Sequence, residues 1–483
     1  MVSNVKAIVL AAGKSTRFRT KKSKLLHSLC GQAMILYPAK VLEDLHIPMT
    51  FVLGYQAELV KNVIVDAKIE NADFVIQENL WGTGNAVLSA RDRWDKDHIL
   101  ILNGDTPLLT SDLISGLIKK HLESEATISF LATYLINPTG YGRIKKDGDM
   151  ISIIEEKNCT EDEKEINKVN AGVFLIHRDF LEENLEKVDR DEVSGEIYLT
   201  ELVRIASEKK LRVNIISVPY DLVRGVNTLE ELWAAEQIKR SQLMKKFMNR
   251  GVRFELAQNI HLDIDVEIGA GSFIATGVHL LRGARIGEDC FIGAFSIIDN
   301  SVIEDGTKIY SHTVVKDSRI GKNAHIGPFA RLRDNVILKE NVTIGNFVEI
   351  KNSIVGKETK TKHLTYVGDA IVGDKVNIGA GTITCNHDGV TKNQTIIEDE
   401  AFIGSNNTII APVKIGKGSY TAAGSTINRD VGEGDFAIAR QRQENKKDYA
   451  KKLKDPNRKK RASNLNINFL GAIKTEEGNE ETV

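Results

Sequence analysis

Proline and cysteine are scarce in this 483-residue chain, at 8 and 4 residues, and aromatic side chains make up only 6%. The cysteines (Cys30, Cys159, Cys290, Cys385) form no Cys-x-x-Cys pair, which argues against a disulfide scaffold or a thiolate zinc site and suits a reducing cytosol. Apolar runs of about 18 residues are missing, so no membrane-spanning helix is expected. Neither sign of charge is in excess. With 65 Lys and Arg against 66 Asp and Glu the net charge is −1, which offers no global field to nucleic acid or to an acidic membrane. The opening stretch MVSNVKAIVLAAGKS does not read as a secretory signal, because its apolar part ends in Gly-Lys with no cleavage region behind it. A cytoplasmic protein is expected.

Glycine is what the chain has in plenty, 38 residues, concentrated after about residue 268. Ile-Gly or Val-Gly pairs recur at Ile268, Ile286, Ile292, Ile320, Ile326, Ile344, Val355, Val367, Val372, Ile378, Ile403 and Ile415, several of them six residues or a multiple of six apart. Such a unit is a short strand plus a tight turn, and three units make one coil. The aliphatic residue points to the axis, while Gly, Asn and Asp suit the left-handed backbone of the corners. No coil buries its own apolar face, so coils must stack into a quasi-one-dimensional core. A β-sandwich has no fixed six-residue period. The pattern resembles the left-handed parallel β-helix of hexapeptide-repeat acyltransferases, which implies trimers with active sites between neighbouring β-helices.

The first half reads differently. VKAIVL at 5–10 is a buried strand, and apolar runs alternating with helical stretches predict an α/β unit with a mostly parallel, Rossmann-like sheet. After the first strand, Ala11, Ala12 and Gly13 let backbone N–H groups approach a phosphate or a base, with Arg17 and Lys24 as nearby cations. Asn103-Gly104-Asp105 ends a second apolar strand, which puts Asp105 where a magnesium ligand would stand. Thr228 and Glu231 form a capping-box pattern. The apolar positions Leu229, Leu232, Trp233, Leu243, Met244 and Phe247 after it predict one helix over about 229–249, packed against the neighbouring domain.

LAAGKSTR at 10–17, Lys24, Gln77, WGTGNA at 81–86, NGD at 103–105, PTGYGR at 138–143, Glu155, Asn170 and GVN at 225–227 together resemble the bacterial bifunctional N-acetylglucosamine-1-phosphate uridyltransferases and glucosamine-1-phosphate N-acetyltransferases, over roughly residues 4–450. The resemblance implies a uridyltransferase domain at 1–228, a linker helix at 229–249, a left-handed β-helix acetyltransferase domain at 250–450 and a disordered tail at 451–483. It implies UTP, acetyl-CoA, glucosamine 1-phosphate and N-acetylglucosamine 1-phosphate as substrates, a homotrimer, and no nucleic-acid or membrane partner. Leu10, Ala11, Ala12, Gly13, Lys24, Gln77, Gly82, Thr83, Asn103 and Gly104 would hold the nucleotide, and Gly142, Glu155 and Asn170 the sugar. Asp105 and Asn227 would hold Mg2+, with Arg17 and Lys24 assisting at the phosphates. Three family positions differ: Ser15 replaces a glycine, Ser23 a proline, and Asn85 the more familiar histidine.

In the second half the six-residue register is expected to break at KTKHLTY (360–366) and again between Ile378 and Ile403. His363 lies in the family's His-Leu-Thr-Tyr motif and would be the general base for the sugar amine, with Asn386 orienting the reacting groups. By the same resemblance Arg333, Lys351, Tyr366, Asn377 and Lys392 would bind the sugar phosphate and hydroxyls. Ala380, Asn386, His387, Ser405, Ala423 and Arg440 would contact the coenzyme. Lys362 and His387 stand where the family has glycine and tyrosine. Two rival readings are a single-activity nucleotidyltransferase with a structural β-helix, and a trimeric scaffold without catalysis.

Overall fold

The N-terminal half is built around Val5–Ala11 in the computed structural model, which describes residues 2–455. The aliphatic side chains of this strand are covered on both faces, as a parallel strand between helical layers requires. In spatial order the sheet runs Val213–Ser217, Ile128–Tyr134, Lys168–His177, His98–Asn103, Val5–Ala11, Met49–Leu53, Ala72–Ile76. All neighbours are parallel except that Lys168–His177 opposes both of its own. The carboxyl ends of Val5–Ala11 and His98–Asn103 therefore lie side by side, with Leu10 in register with Asn103. Open α/β sheets bind their ligands at this end.

Leu229–Met248 is one helix, opened by a capping box in which Thr228 Oγ1 accepts from the Glu231 N–H and the Glu231 carboxylate accepts from the Thr228 N–H. Ala235 and Leu243 join the core of the α/β unit, whereas Met244 and Phe247 join that of the β-helix. Leu229 and Trp233 do not pack as the apolar stripe suggested: they are 50% and 63% exposed. They form an i, i+4 pair beside, not on, the face carrying Leu232 and Ala235.

From Arg253 to Ala437 the chain winds through three parallel sheets of 11, 10 and 9 short strands. Register partners such as Phe273, Phe291, Lys308, His325 and Thr343 follow one another 17 or 18 residues apart, three hexapeptide units per coil. Ile274, Ile292, Ile309, Ile326 and Ile344 stack along the axis, all fully buried. The chain is thus an α/β nucleotidyltransferase-type unit followed by a left-handed parallel β-helix.

Most glycines of the repeated Ile-Gly pairs meet a need other than the corners, although Gly327 does take a positive φ. Gly287 and Gly379 do not carry the left-handed backbone. A Cβ on either would lie 2.5 Å from an atom of the next coil, so glycine is needed for close stacking. Left-handed corners fall, as expected, to other glycines such as Gly271 and Gly306 and to Asp289, Asn323 and Asn406, and also to Phe329. The break expected at 360–366 is also absent: Lys360–His363 and Tyr366–Gly368 are ordinary rungs of two sheets. Only residues 386–394 leave the coil, as a small hairpin with a His387–Lys392 bridge, before Thr395–Ile397 resumes the ladder. Residues 438–455 form a separate unit with a short helix at Tyr449–Leu453; the rest of the tail discussed above lies outside the described residues.

Because each axial isoleucine is enclosed by the coils above and below, Ile309→Ala should cost about 2–5 kcal/mol. A lowered urea midpoint would register this loss, and an unchanged midpoint would mean that the column does not carry the stability.

Candidate active sites

The strand Val5–Ala11 delivers the loop that follows it into a cavity of about 530 Å3 at the carboxyl end of the sheet. Leu10, Ala11, Ala12, Gly13, Lys24, Gln77, Gly82, Thr83, Asn103 and Asp105 all line it. Gly82 adopts φ +93, and a Cβ there would sit 2.7 Å from the Ile197 carbonyl oxygen, so only glycine lets the 81–86 turn close on the 189–197 segment. Gln77 Nε2 donates to Asn85 Oδ1 (2.9 Å), which shows that Asn85 fixes the glutamine amide from behind.

Lys24 Nζ donates to both Asp105 Oδ2 and Asn227 Oδ1, the latter at 2.8 Å, and Arg17 Nη2 reaches the same Asn227 oxygen at 2.8 Å. The Val226 N–H on the Asp105 carbonyl (3.0 Å) holds the GVN segment against the NGD turn. Gly104 donates its N–H to the Leu10 carbonyl (2.9 Å), joining the two strand ends. The two departures from the family loop are both used. Ser15 takes the left-handed φ of 56° that glycine would supply, and its Oγ accepts the Lys24 N–H at 3.1 Å. Ser23 keeps an N–H that proline would lack, and donates it to Gln56 Oε1 at 2.8 Å.

Gly142, Glu155 and Asn170 also meet: the Asn170 N–H donates to the Gly142 carbonyl (2.9 Å), and a Cβ on Gly142 would come within 3.5 Å of Glu155 Oε2. Burial pushes the Glu155 carboxyl above its usual range, against a hydrogen bond from Thr200 Oγ1 at 2.7 Å. Lys14, Thr16, Leu80 and Glu196 line the same cavity and had not been singled out. Glu196 arrives from the 189–197 strap, a segment without a motif, so nothing in the local sequence marked it.

The β-helix carries two clusters. In the first, Arg333, Lys351 and Gly368 are successive register partners, so Arg333 and Lys351 share one face. Arg333 donates to Glu349 Oε1 and Asp334 Oδ2, each at 2.7 Å. A Cβ on Gly368 would collide with the Tyr366 hydroxyl and crowd Asn386 Nδ2, so glycine is what lets those two groups converge. Asn386 and Asn352 both donate their amides to Asp369, a buried residue that the sequence reading passed over. Burial works against ionisation of Asp369. The two amide hydrogen bonds and the charges of Lys351 and Lys392 prevail and hold its pKa below the ordinary carboxylate value. Lys351 in turn lowers the pKa of Lys392, since two ammonium groups stand close together. His387 lies exposed on the hairpin that carries Lys392.

In the second cluster His363 Nδ1 lies 2.9 Å from Asn346 Oδ1, and the side chain of His363 makes no hydrogen bond to the Asp369 group among the described residues. Ala380, Ser405 and Ala423 follow one another along adjoining coils, where the Gly379 and Gly404 positions admit the backbones of Ser405 and Ala423. Asn377 pairs with Lys360 and Phe402 on a different sheet from Tyr366. Arg440 is exposed in the separate 438–455 unit. No group of three or more His, Cys, Asp or Glu among the described residues is arranged to hold a metal by itself.

The sheet, the cavity at its carboxyl end and the β-helix define a nucleotidyltransferase unit fused to a hexapeptide-repeat domain. Known patterns agree: the MobA-like NTP transferase domain matches residues 7–143, and the GMPPB C-terminal domain matches 256–344 and 323–423. The chain is 40% identical to the Bifunctional protein GlmU of Clostridioides difficile, over 93% of this chain and 98% of the relative. It is 41% identical to that of Thermosipho melanesiensis, over 92% and 97%, and 37% identical to that of Alkaliphilus metalliredigens, over 92% and 98%. The chain belongs to the GlmU family of bifunctional proteins.

Burial of the Glu155 carboxylate gives a pH signature. A carboxyl with a raised folded-state pKa contributes stability at low pH, and that contribution is lost as pH rises through the raised value. Thr200→Val removes the hydrogen bond that partly supports the ionised form, so it should destabilise by roughly 1–3 kcal/mol at pH 8. The difference from wild type should shrink as pH falls and the carboxyl takes up its proton in both proteins. Urea titrations at pH 8 and at successively lower pH check this, and a loss that does not change with pH would contradict it.

Proposed function

We propose that this chain is a bifunctional transferase of UDP-N-acetylglucosamine synthesis. It acetylates glucosamine 1-phosphate with acetyl-CoA, then couples the product to UTP with release of pyrophosphate. The observation that carries the reading is a pair of separate cationic clusters on one chain: Lys24 with Arg17 at the end of the sheet, and Lys351 with Lys392 near Asp369, which holds Asn386. Each suits one phosphorylated substrate.

In acetyl transfer the sugar amine attacks the thioester carbonyl carbon and the C–S bond breaks. His363 takes the amine proton, and the departing thiolate leaves as coenzyme A thiol. Asn386, held by Asp369, orients the amine, while Lys351, Lys392, Arg333, Tyr366 and Asn377 bind the sugar phosphate and hydroxyls. Ala380, Ser405, Ala423 and His387 serve the coenzyme. In uridylyl transfer a phosphate oxygen of N-acetylglucosamine 1-phosphate attacks the α-phosphorus of UTP in line, and the bond to the β-phosphate breaks. Lys24 and Arg17 neutralise the charge that develops on the pyrophosphate. Gly142, Glu155 and Asn170 hold the sugar.

Asp105 and Asn227 are suited to Mg2+. Their oxygens converge on one point, which the Lys24 ammonium reaches, and one carboxylate with substrate phosphates is the donor set magnesium prefers. Magnesium bound there would supply charge neutralisation at the phosphates. A homotrimer is supported by a column of stacked, outward-facing rings at one corner: Phe295, His312, Phe329 and Phe347, with Phe295, Phe329 and Phe347 about half exposed. A neighbouring copy would cover that column and could complete the site around His363. Cytoplasmic action agrees with the unpaired cysteines, and no described helix is long and apolar enough to cross a membrane.

Assays of thiol release and pyrophosphate release test the two sites. Asp105→Ala should abolish only pyrophosphate release and His363→Ala only thiol release; loss of both activities in either variant would contradict separate sites. Phe329→Ser with Phe347→Ser should dissociate the trimer, seen by light scattering, and lower thiol release while uridylyl transfer persists. A monomeric double variant with full thiol release would overturn the shared-site reading.

A further inference from the structure

Most rungs of the β-helix are two or three residues long. Thr343–Asn346 and Lys360–His363 have four, and they are neighbours in one sheet. The extra length brings Asn346 into register with His363, so the two side chains leave the sheet in the same direction on adjacent strands. Gly345 makes the close approach feasible, because a Cβ there would lie 1.8 Å from the Lys362 carbonyl oxygen. The main chain holds the pair as well. The Leu364 N–H donates to the Asn346 carbonyl at 3.1 Å, and Thr365 Oγ1 donates to the His363 carbonyl at 2.7 Å.

We infer that Asn346 is a positioning residue for acetyl transfer: its side-chain oxygen accepts the Nδ1–H of His363, fixes the tautomer, and leaves Nε2 unprotonated to receive the proton of the sugar amine. The inference rests on the reading of His363 as the base. The contact is the only hydrogen bond of the imidazole among the described residues, so no other group there selects the tautomer. In a neutral imidazole one nitrogen donates and the other accepts, and the partner of one decides the role of the other. Were the asparagine turned so that its amide nitrogen faced Nδ1, Nε2 would carry the hydrogen and could not serve as the base. An exposed ring without this partner would also swing between rotamers. The expected consequence lies in turnover, not in substrate affinity, since Asn346 stands behind the imidazole and apart from the phosphate cluster of Lys351 and Lys392.

Asn346→Ala and Asn346→Asp separate these possibilities in the full-length protein, with thiol release followed across pH and pyrophosphate release as the control for folding. Asn346→Ala should lose roughly 10- to 100-fold in kcat, the scale seen when the orienting partner of a functional histidine is removed, with KM for both substrates within about twofold of wild type. Asn346→Asp can only accept at neutral pH, so it should keep far more activity than Asn346→Ala and move the acid limb of the kcat profile to higher pH. Wild-type kcat in Asn346→Ala would overturn the inference, as would an Asn346→Asp variant as inactive as the alanine one. His363→Ala distinguishes the underlying reading. If it retains thiol release, the base is elsewhere; if it loses it while the Asn346 variants behave as wild type, the positioning inference alone falls.

Discussion

Backbone hydrogen bonding between successive coils is the constraint on which the second half of this protein depends. Each rung is too short to be stable alone, and its N–H and C=O groups are satisfied by the coils before and after it, 17 or 18 residues away. That spacing leaves no room for a Cβ where one coil crosses another, which is why glycine follows the axial isoleucine at Gly287 and Gly379. It also fixes direction. Side chains at equivalent positions of adjoining coils must stand side by side, so Arg333 and Lys351, or Asn346 and His363, become neighbours without any loop being folded to bring them together.

The α/β half solves a different problem. Its cavity-lining residues are gathered by strand ends and then tied by side chains far apart in sequence, as when Lys24 contacts both Asp105 and Asn227. The helix Leu229–Met248 contributes buried residues to both cores, with Leu243 on one side and Phe247 on the other. The chain is therefore joined by packing as well as by sequence. A hydrogen bond from the Ile264 N–H to the Cys30 carbonyl at 2.9 Å adds a further link between the halves.

Much of this was legible in the sequence because period and strand-end motifs are local. The six-residue repeat announced the β-helix, and AAG and NGD at strand ends announced the cavity. Residues without a motif were not legible: Asp369, Glu196 and Asn346 act through partners that only the fold brings near. The supposed break at 360–366 was misread for a related reason. The Ile-Gly signature lapses there because Thr361 takes the axial place and Lys362 follows it, yet the backbone ladder continues unbroken. In sequence, Ser15 and Ser23 were visible only as departures from the family. Each proved to make a hydrogen bond that the usual residue could not, or not from its side chain.

The central claim is that one chain performs both group transfers in sequence. It is tested most directly by supplying the protein with glucosamine 1-phosphate, UTP, Mg2+ and acetyl-CoA labelled in its acetyl carbons, and weighing the nucleotide sugar formed. The account predicts UDP-N-acetylglucosamine carrying the full label, with coenzyme A thiol and pyrophosphate released in equal amounts. Unlabelled nucleotide sugar, or pyrophosphate release without thiol release when no acetylated sugar is supplied, would contradict it.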